Sequence, residues 1–469
     1  MRMRPSWNGK KGKLLQVEKQ REVRERLRVR EVKMFLQNFI NTHANALIPY
    51  IEKKKKKSKF KKSQSKNTFW LFREMGSKSN LQIACLVFLF AWGAEAVSPV
   101  KVFNVKDFGA IADGKTDSSK AFLDAWKEAC AWNGMGRVLI PKGTFLVGPV
   151  LFEGPCKGPI IFQVSGVVKA PGLEKFPSDS WIVFHYINGL MVTGGGTFHG
   201  EGAEAWPHNQ CSKNKKCKFL PTSLRFISVT NATIRSISSV DSKLFHMNIA
   251  SCNNIKIQSI KISAPAESPN TDGIHIGDSS GVSIVRSVIG TGDDCISIGS
   301  GNSNIFISNV FCGPGHGISI GSLGKYPNEA DVVGINVRNC TLTGTTNGIR
   351  IKTWQDSSIL SAFNFTFQDI VMNNVANPII IDQEYCPYIS CNKEAPSRVK
   401  ISDVKFMNIR GSSASQVAVN FLCSKGVPCQ DVHLQSINLE YNGLDGPAKS
   451  LCYNIKGTSS GMQRPPSCL

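Results

Sequence analysis

Three aspartates and a histidine stand at matched places in consecutive copies of one short apolar phrase. The copies read Asn270-Thr271-Asp272-Gly273-Ile274-His275-Ile276, Gly292-Asp293-Asp294-Cys295-Ile296-Ser297-Ile298 and Gly315-His316-Gly317-Ile318-Ser319-Ile320. Crowded carboxyls push the pKa of one member upward while another stays ionised, which places a proton donor and a base in one site. Cleavage of a glycosidic bond needs that pair: a proton for the leaving oxygen, and activation of water at the anomeric carbon. A lone Asp-Gly such as Asp272-Gly273 is ordinarily a turn. Turn chemistry does not account for Asp293-Asp294 one copy later, nor for His316 one copy after that. Downstream, Arg350-Ile351-Lys352 puts two cations on one strand face. That pattern is usually a solvated face, but beside a carboxylate cluster a forked guanidinium next to an ammonium suits a carboxylate-bearing sugar.

The elements that must position these residues follow from the isoleucines. Ile274, Ile296 and Ile318 recur every 22 residues, a period of stacked-coil solenoids in which one repeat makes one turn of backbone. Equivalent residues on neighbouring parallel strands lie about 4.8 Å apart, so Asp272, Asp294 and His316 form a polar column with Asp293 beside its middle member. From Val97 onward the chain reads as all-β. Short alternating runs such as Ile255-Lys256-Ile257, Val282-Ser283-Ile284 and Ile305-Phe306-Ile307 are separated by Asn, Gly, Ser and Asp, about three to a repeat. This describes a right-handed parallel β-helix better than a sandwich, which favours hairpins and longer strands. The repeat continues at Ile349 and Ile379 with spacings of 31 and 30, so the added residues, including Ser322 to Asp331, fall in loops. Open solenoid ends need covers. Asp117 caps an N-terminal plug helix over Ser118 to Cys130, and the Cys-rich tail from Cys423 to Cys468 is expected to cover the other end.

The formal charge of +22 over 469 residues is unevenly spread. Residues 1–74 hold 22 Lys/Arg against 6 Glu, leaving 34 basic against 28 acidic side chains in the rest. A basic segment of that kind is disordered, a nucleic-acid contact, or an upstream extension of the reading frame. The last reading is favoured because Met75 opens a short charged region, a 12-residue apolar stretch from Leu81 to Trp92, and Ala94-Glu95-Ala96. Those are the parts of a secretory signal over 75–96, with Met75 as working initiator and 97–469 as one domain. The stretch is short of the roughly 20 residues that span a bilayer, so no stable membrane association is expected and no nucleic-acid role. Removing Cys85 leaves 14 cysteines, an even number suited to disulfides outside the cell. Cys295 with Cys312, and Cys423 with Cys429, are the local candidates. No zinc-type cysteine spacing occurs. Asn231, Asn339 and Asn364 open possible glycosylation sequons.

Taken together, Asn270-Thr271-Asp272, Gly292-Asp293-Asp294, Gly315-His316-Gly317 and Arg350-Ile351-Lys352 resemble the four signature motifs of the polygalacturonases, glycoside hydrolase family 28. The resemblance covers Val97 to the C-terminus, and Gly313 to Gly321 is most similar to plant, pollen-type exo-acting members. It implies inverting hydrolysis of α-1,4-galacturonan in cell-wall pectin, without a metal or other cofactor; a secreted monomer is expected. It implies Asp293 as general acid, Asp272 and Asp294 as activators of the water, and His316 as their assistant. Arg350 and Lys352, with Asn270 and Tyr385, would bind substrate. His199 and Glu201 depart from the family pattern of Asp and Gln, which puts the local turn and the tuning of this member in question. The rivals are an endo-acting member, a rhamnogalacturonan or xylogalacturonan hydrolase, a calcium-dependent β-eliminase, and a wall-binding β-helix without turnover.

Overall fold

The computed structural model describes residues 100–209, 217–387, 391 and 395–469. The expected basic extension over 1–74 and the signal over 75–96 lie outside the described residues. The rest is a right-handed parallel β-helix.

One ladder of eleven parallel strands lines the future site: β1 (Val150–Glu153), β2 (Ser180–His185), β3 (Thr222–Ile227), β4 (Met247–Ala250), β5 (Ile274–Gly277), β6 (Ile296–Ile298), β7 (Ile318–Leu323), β8 (Asn347–Trp354), β9 (Asn377–Tyr385), β10 (Val417–Leu422) and β11 (Lys449–Tyr453). Register is set by the isoleucines, since Ile274 pairs with Ile296, Ile296 with Ile318, Ile318 with Ile349 and Ile349 with Ile379. These are all 1% exposed or less, and a one-residue slip would turn every one of them out to water. The 31-residue spacing is absorbed between rungs: the strand runs to Leu323, keeping Ser322 in it, and after a loop the chain joins the other sheet at Val332 before the ladder resumes at Asn347.

The remaining strands form the other walls of the coil, and Asn-rich corners join them. Asn231, Asn254, Asn309 and Asn339 all adopt left-handed backbone, a conformation Asn tolerates better than other side chains. Asn254 donates to Asn231 and Asn231 to Asn188, at 2.7 and 2.8 Å, so the corner amides stack in a ladder of their own. Those same amides belong to the sequons at Asn231 and, through Asn309, Asn339.

Helix α1 spans Ser119–Cys130 and turns Phe122, Ala125, Trp126 and Ala129 inward. Trp126 lies 5.0 Å from the Phe152 ring and 5.9 Å from Phe184, covering the first rungs. Asp117 accepts the Ser119 and Gly148 N–H groups, tying the helix start to the sheet. The tail differs from expectation. Cys429–Tyr441 and Ile455–Arg464 extend the parallel ladder, and the disulfides Cys423–Cys429 and Cys452–Cys468 stitch these last coils. The tail is therefore further coil rather than a separate cover: Cys429–Tyr441 alternates buried and exposed residues as the repeat does, and the mostly exposed Ile455–Arg464 pairs onto it. Cys295–Cys312 forms as expected, beside Cys130–Cys156 and Cys386–Cys391. The even-count reading fails at Cys252 and Cys340, which are buried and unpaired; at those positions they behave as small apolar side chains.

Candidate active site

The residues just before β5, β6 and β7 bring the acids together, because each strand enters the sheet from the same corner of the coil. Backbone bonds lock the corner: Gly273 N–H donates to Asp294 O at 2.9 Å, and His316 N–H to Asp293 O at 2.8 Å. Gly273 has no room for a side chain, since a Cβ there would meet Cys295 O at 2.5 Å.

Asp294 is the most enclosed of the three acids at 1% exposure. Its Oδ1 accepts from Arg350 Nη2 at 2.9 Å and from Ser319 Oγ at 2.7 Å, and its Oδ2 from Lys352 Nζ at 2.8 Å. Burial by itself would raise its pKa, but Lys352 and Arg350 outweigh burial and bring the carboxyl down to about 2. Asp272 has the opposite balance. Among the described residues only Ser297 Oγ donates to its buried carboxyl, at 2.7 Å; burial, then the charges of Asp293 and Asp294, hold it well above the usual carboxylate range. Two neighbouring carboxyls are thus shifted in opposite directions by their surroundings.

Asp293 is the outermost carboxyl, with 18% of its side chain exposed. His316 Nδ1 lies 3.0 Å from its Oδ1, and Asn270 Nδ2 donates to its Oδ2 at 3.3 Å. The sequence column is therefore right in the backbone, but the His316 ring pairs with Asp293 rather than with Asp294, the residue directly in register. Tyr385 closes the far side, its ring centroid 5.3 Å from Lys352 Nζ and 6.0 Å from the Arg350 guanidinium. All eight candidate residues fall in this one neighbourhood through these contacts.

Asp293, Asp294 and His316 also bring ligand-type atoms within 4.8 Å of one another. A cation there would confront Arg350 and Lys352, which already engage both oxygens of Asp294. The departure at His199 and Glu201 forms a separate charge cluster: His199 Nδ1 is 3.0 Å from Glu201, its Nε2 is 3.7 Å from Asp241, and Lys169 is 3.6 Å from Glu201. The turn itself is intact, since Gly200 and Gly202 N–H groups bond to Val240 O and Asp241 O, both at 2.8 Å.

Sequence reasoning missed Ser297, Ser319 and Asn209. The serines lay in plain view as two Ile-Ser-Ile phrases in register, but serine on a strand carries no signal of its own. Asn209, which donates to Asn270 Oδ1 at 3.0 Å, arrives from 61 residues away and had none.

A parallel β-helix carrying one carboxyl pushed down by cations, one pushed up by burial, a reachable third carboxyl and a cationic clamp in one groove defines a carboxylate-dependent glycoside hydrolase. A family model described as glycosyl hydrolases family 28 matches residues 130–463. The chain is 53% identical over 366 residues to an exopolygalacturonase of Platanus acerifolia, covering 78% of this chain and 97% of that protein. It is 50% identical over 384 residues to a polygalacturonase of Gossypium barbadense, covering 82% and 94%. Its fold is similar to that of a hyperthermoactive exopolygalacturonase from Thermotoga maritima, with a TM-score of 0.65 at 20% identity over 77% of this chain and 91% of that one. The chain belongs to glycosyl hydrolases family 28.

Proposed function

We propose that the chain hydrolyses α-1,4 bonds of galacturonan with inversion, releasing galacturonic acid from the chain end. The carrying observation is the clamp: Arg350 and Lys352 meet at Asp294, so a sugar carboxylate reaching these two cations is drawn onto the acid cluster. Asp293, the reachable carboxyl held by His316, is the general acid. Asp294, ionised, takes the proton from water, and Asp272, held by Ser297, orients that water. Arg350, Ser319 and Lys352 engage both oxygens of Asp294, which keeps it ionised beside the water. Action from the chain end is supported by the 53% identical exopolygalacturonase of Platanus acerifolia. Export through residues 75–96, with Met75 as initiator, fits the disulfides found among the described residues, and a wall polysaccharide fits the family.

The test is to incubate secreted protein begun at Met75 with galacturonan, size the early products, and follow the anomer released by NMR. Monomer alone with inverted configuration is expected; mixed oligomers would mean endo action. Asp293→Asn should abolish turnover with circular dichroism unchanged, a loss of about 10²- to 10⁴-fold for a general acid. A variant keeping most of its activity would remove Asp293 from that role.

A further inference from the structure

Four side chains share one position on consecutive strands of the groove sheet. His275 on β5 pairs with Ser297 on β6, Ser297 with Ser319 on β7, and Ser319 with Arg350 on β8. Each serine supports one acid: Ser297 Oγ donates to Asp272 Oδ2 and Ser319 Oγ to Asp294 Oδ1, both at 2.7 Å. A hydroxyl has a single proton to give. Having given it to a carboxylate, each serine meets its column neighbour only as an acceptor. For Ser319 that neighbour is Arg350 Nε at 3.0 Å, a permanent donor. For Ser297 it is His275 Nδ1 at 2.8 Å, so whenever Asp272 is ionised the ring must carry its proton on Nδ1. Phe245 stacks on the ring at 4.9 Å and 22°, fixing its plane.

We propose that His275, acting through Ser297, is a positioning residue that aims the Asp272 carboxyl at the reacting water. With Nδ1–H pointed at its oxygen, the Ser297 hydroxyl is held toward Asp272; without that donor it is free to rotate away. The two acids then have identical serine supports backed by different groups, a neutral ring behind one and a guanidinium behind the other. Burial keeps the imidazole neutral by pushing it down to about 4, in keeping with the high pKa of Asp272 and the low one of Asp294.

The inference rests on Asp272 belonging to the reacting set. Turnover by the wild-type enzyme and its loss in Asp293→Asn test that reading separately, so the two can fail independently. The decisive comparison is His275→Asn against His275→Gln, with kcat and KM on galacturonan and the melting temperature of each. The Asn amide nitrogen falls near the place of Nδ1 and the Gln nitrogen near that of Nε2. Gln should lower kcat about 10- to 100-fold with KM unchanged, as loss of a hydrogen-bond partner behind a site residue does elsewhere, and Asn should recover most of that rate. Ser297→Ala should show the Gln-type loss, and adding His275→Gln to it should cost nothing further, because the residue then has no one to act through. Equal rates for the Asn and Gln variants, additive losses in the double variant, or an effect confined to KM would each overturn the proposal.

Discussion

Lys352→Met removes one of the two cations on Asp294 while keeping the length and apolar stem of the side chain. In the wild type that carboxyl is 1% exposed and still ionises at about 2 rather than the ordinary 3.8, a net stabilisation of its charge of about 2 kcal/mol. The figure is what remains after burial has been offset, so the gross contribution of the cations is larger. Arg350 on Oδ1 and Lys352 on Oδ2 make contacts of 2.9 and 2.8 Å, and Lys352 is the larger influence of the two, supplying at least about half. Losing half should return Asp294 to its ordinary value or higher. The acid limb of kcat/KM reports ionisation of the essential base in the free enzyme, so it should move to higher pH by at least about 1 unit. Above the limb a second deficit remains, since a charge-assisted contact to the sugar carboxylate is gone; about 1.5–3 kcal/mol corresponds to roughly 10- to 150-fold in kcat/KM. The assay is kcat/KM against pH on galacturonan for both enzymes under one ionic strength. An acid limb that stays in place, or moves to lower pH, would refute the assignment of Asp294 as the base that Lys352 keeps ionised.

The remaining expectations concern stability. Asp294 has a depressed folded-state pKa, so its contribution of about 2 kcal/mol is fully present above the ordinary 3.8 and is lost as pH falls through about 2. Asp294→Asn should accordingly flatten the acid side of the melting curve measured by calorimetry. Asp272 runs in the other direction: its raised pKa makes its contribution present below 3.8 and lost as pH rises through the folded value. Asp272→Asn should therefore raise the melting temperature at neutral pH and leave it unchanged in acid, whatever it does to turnover. In the core, Phe184 is in contact with Phe152 and Phe162 at 5.3 Å each and stacks on Phe226 at 5.2 Å. Phe184→Ala should cost about 3–5 kcal/mol in denaturant titration, and a cost under about 1 kcal/mol would mean the rungs close over the gap.

Much of the fold was legible because a solenoid converts sequence period directly into spatial register. One turn of backbone per repeat means that Ile274, Ile296 and Ile318 must stack if any of them is buried, and the polar residues two positions ahead of each stack with them. The helix over Ser119–Cys130 was equally plain from the spacing of Phe122 and Trp126. The tail misled because cysteine density suggested a cap, while its alternating runs belonged to the same ladder. Cys252 and Cys340 misled because an even count carries no information on which thiols can meet.

Composition and spacing alone determined that three acids, an imidazole and two cations share one face of one sheet, since strand alternation and a 22-residue period leave them no other place. Only the tertiary structure decided how each of them is held. Whether an aspartate is a proton donor or a base depends on what lies within about 3 Å of its oxygens, and those neighbours come from other rungs: Arg350 and Lys352 reach back 56 and 58 residues to Asp294, while Asp272 receives a single hydroxyl from Ser297. Periodicity fixes which backbone positions are adjacent. It does not fix which long side chains cross between rungs, and that crossing makes two neighbouring carboxyls in one column chemical opposites.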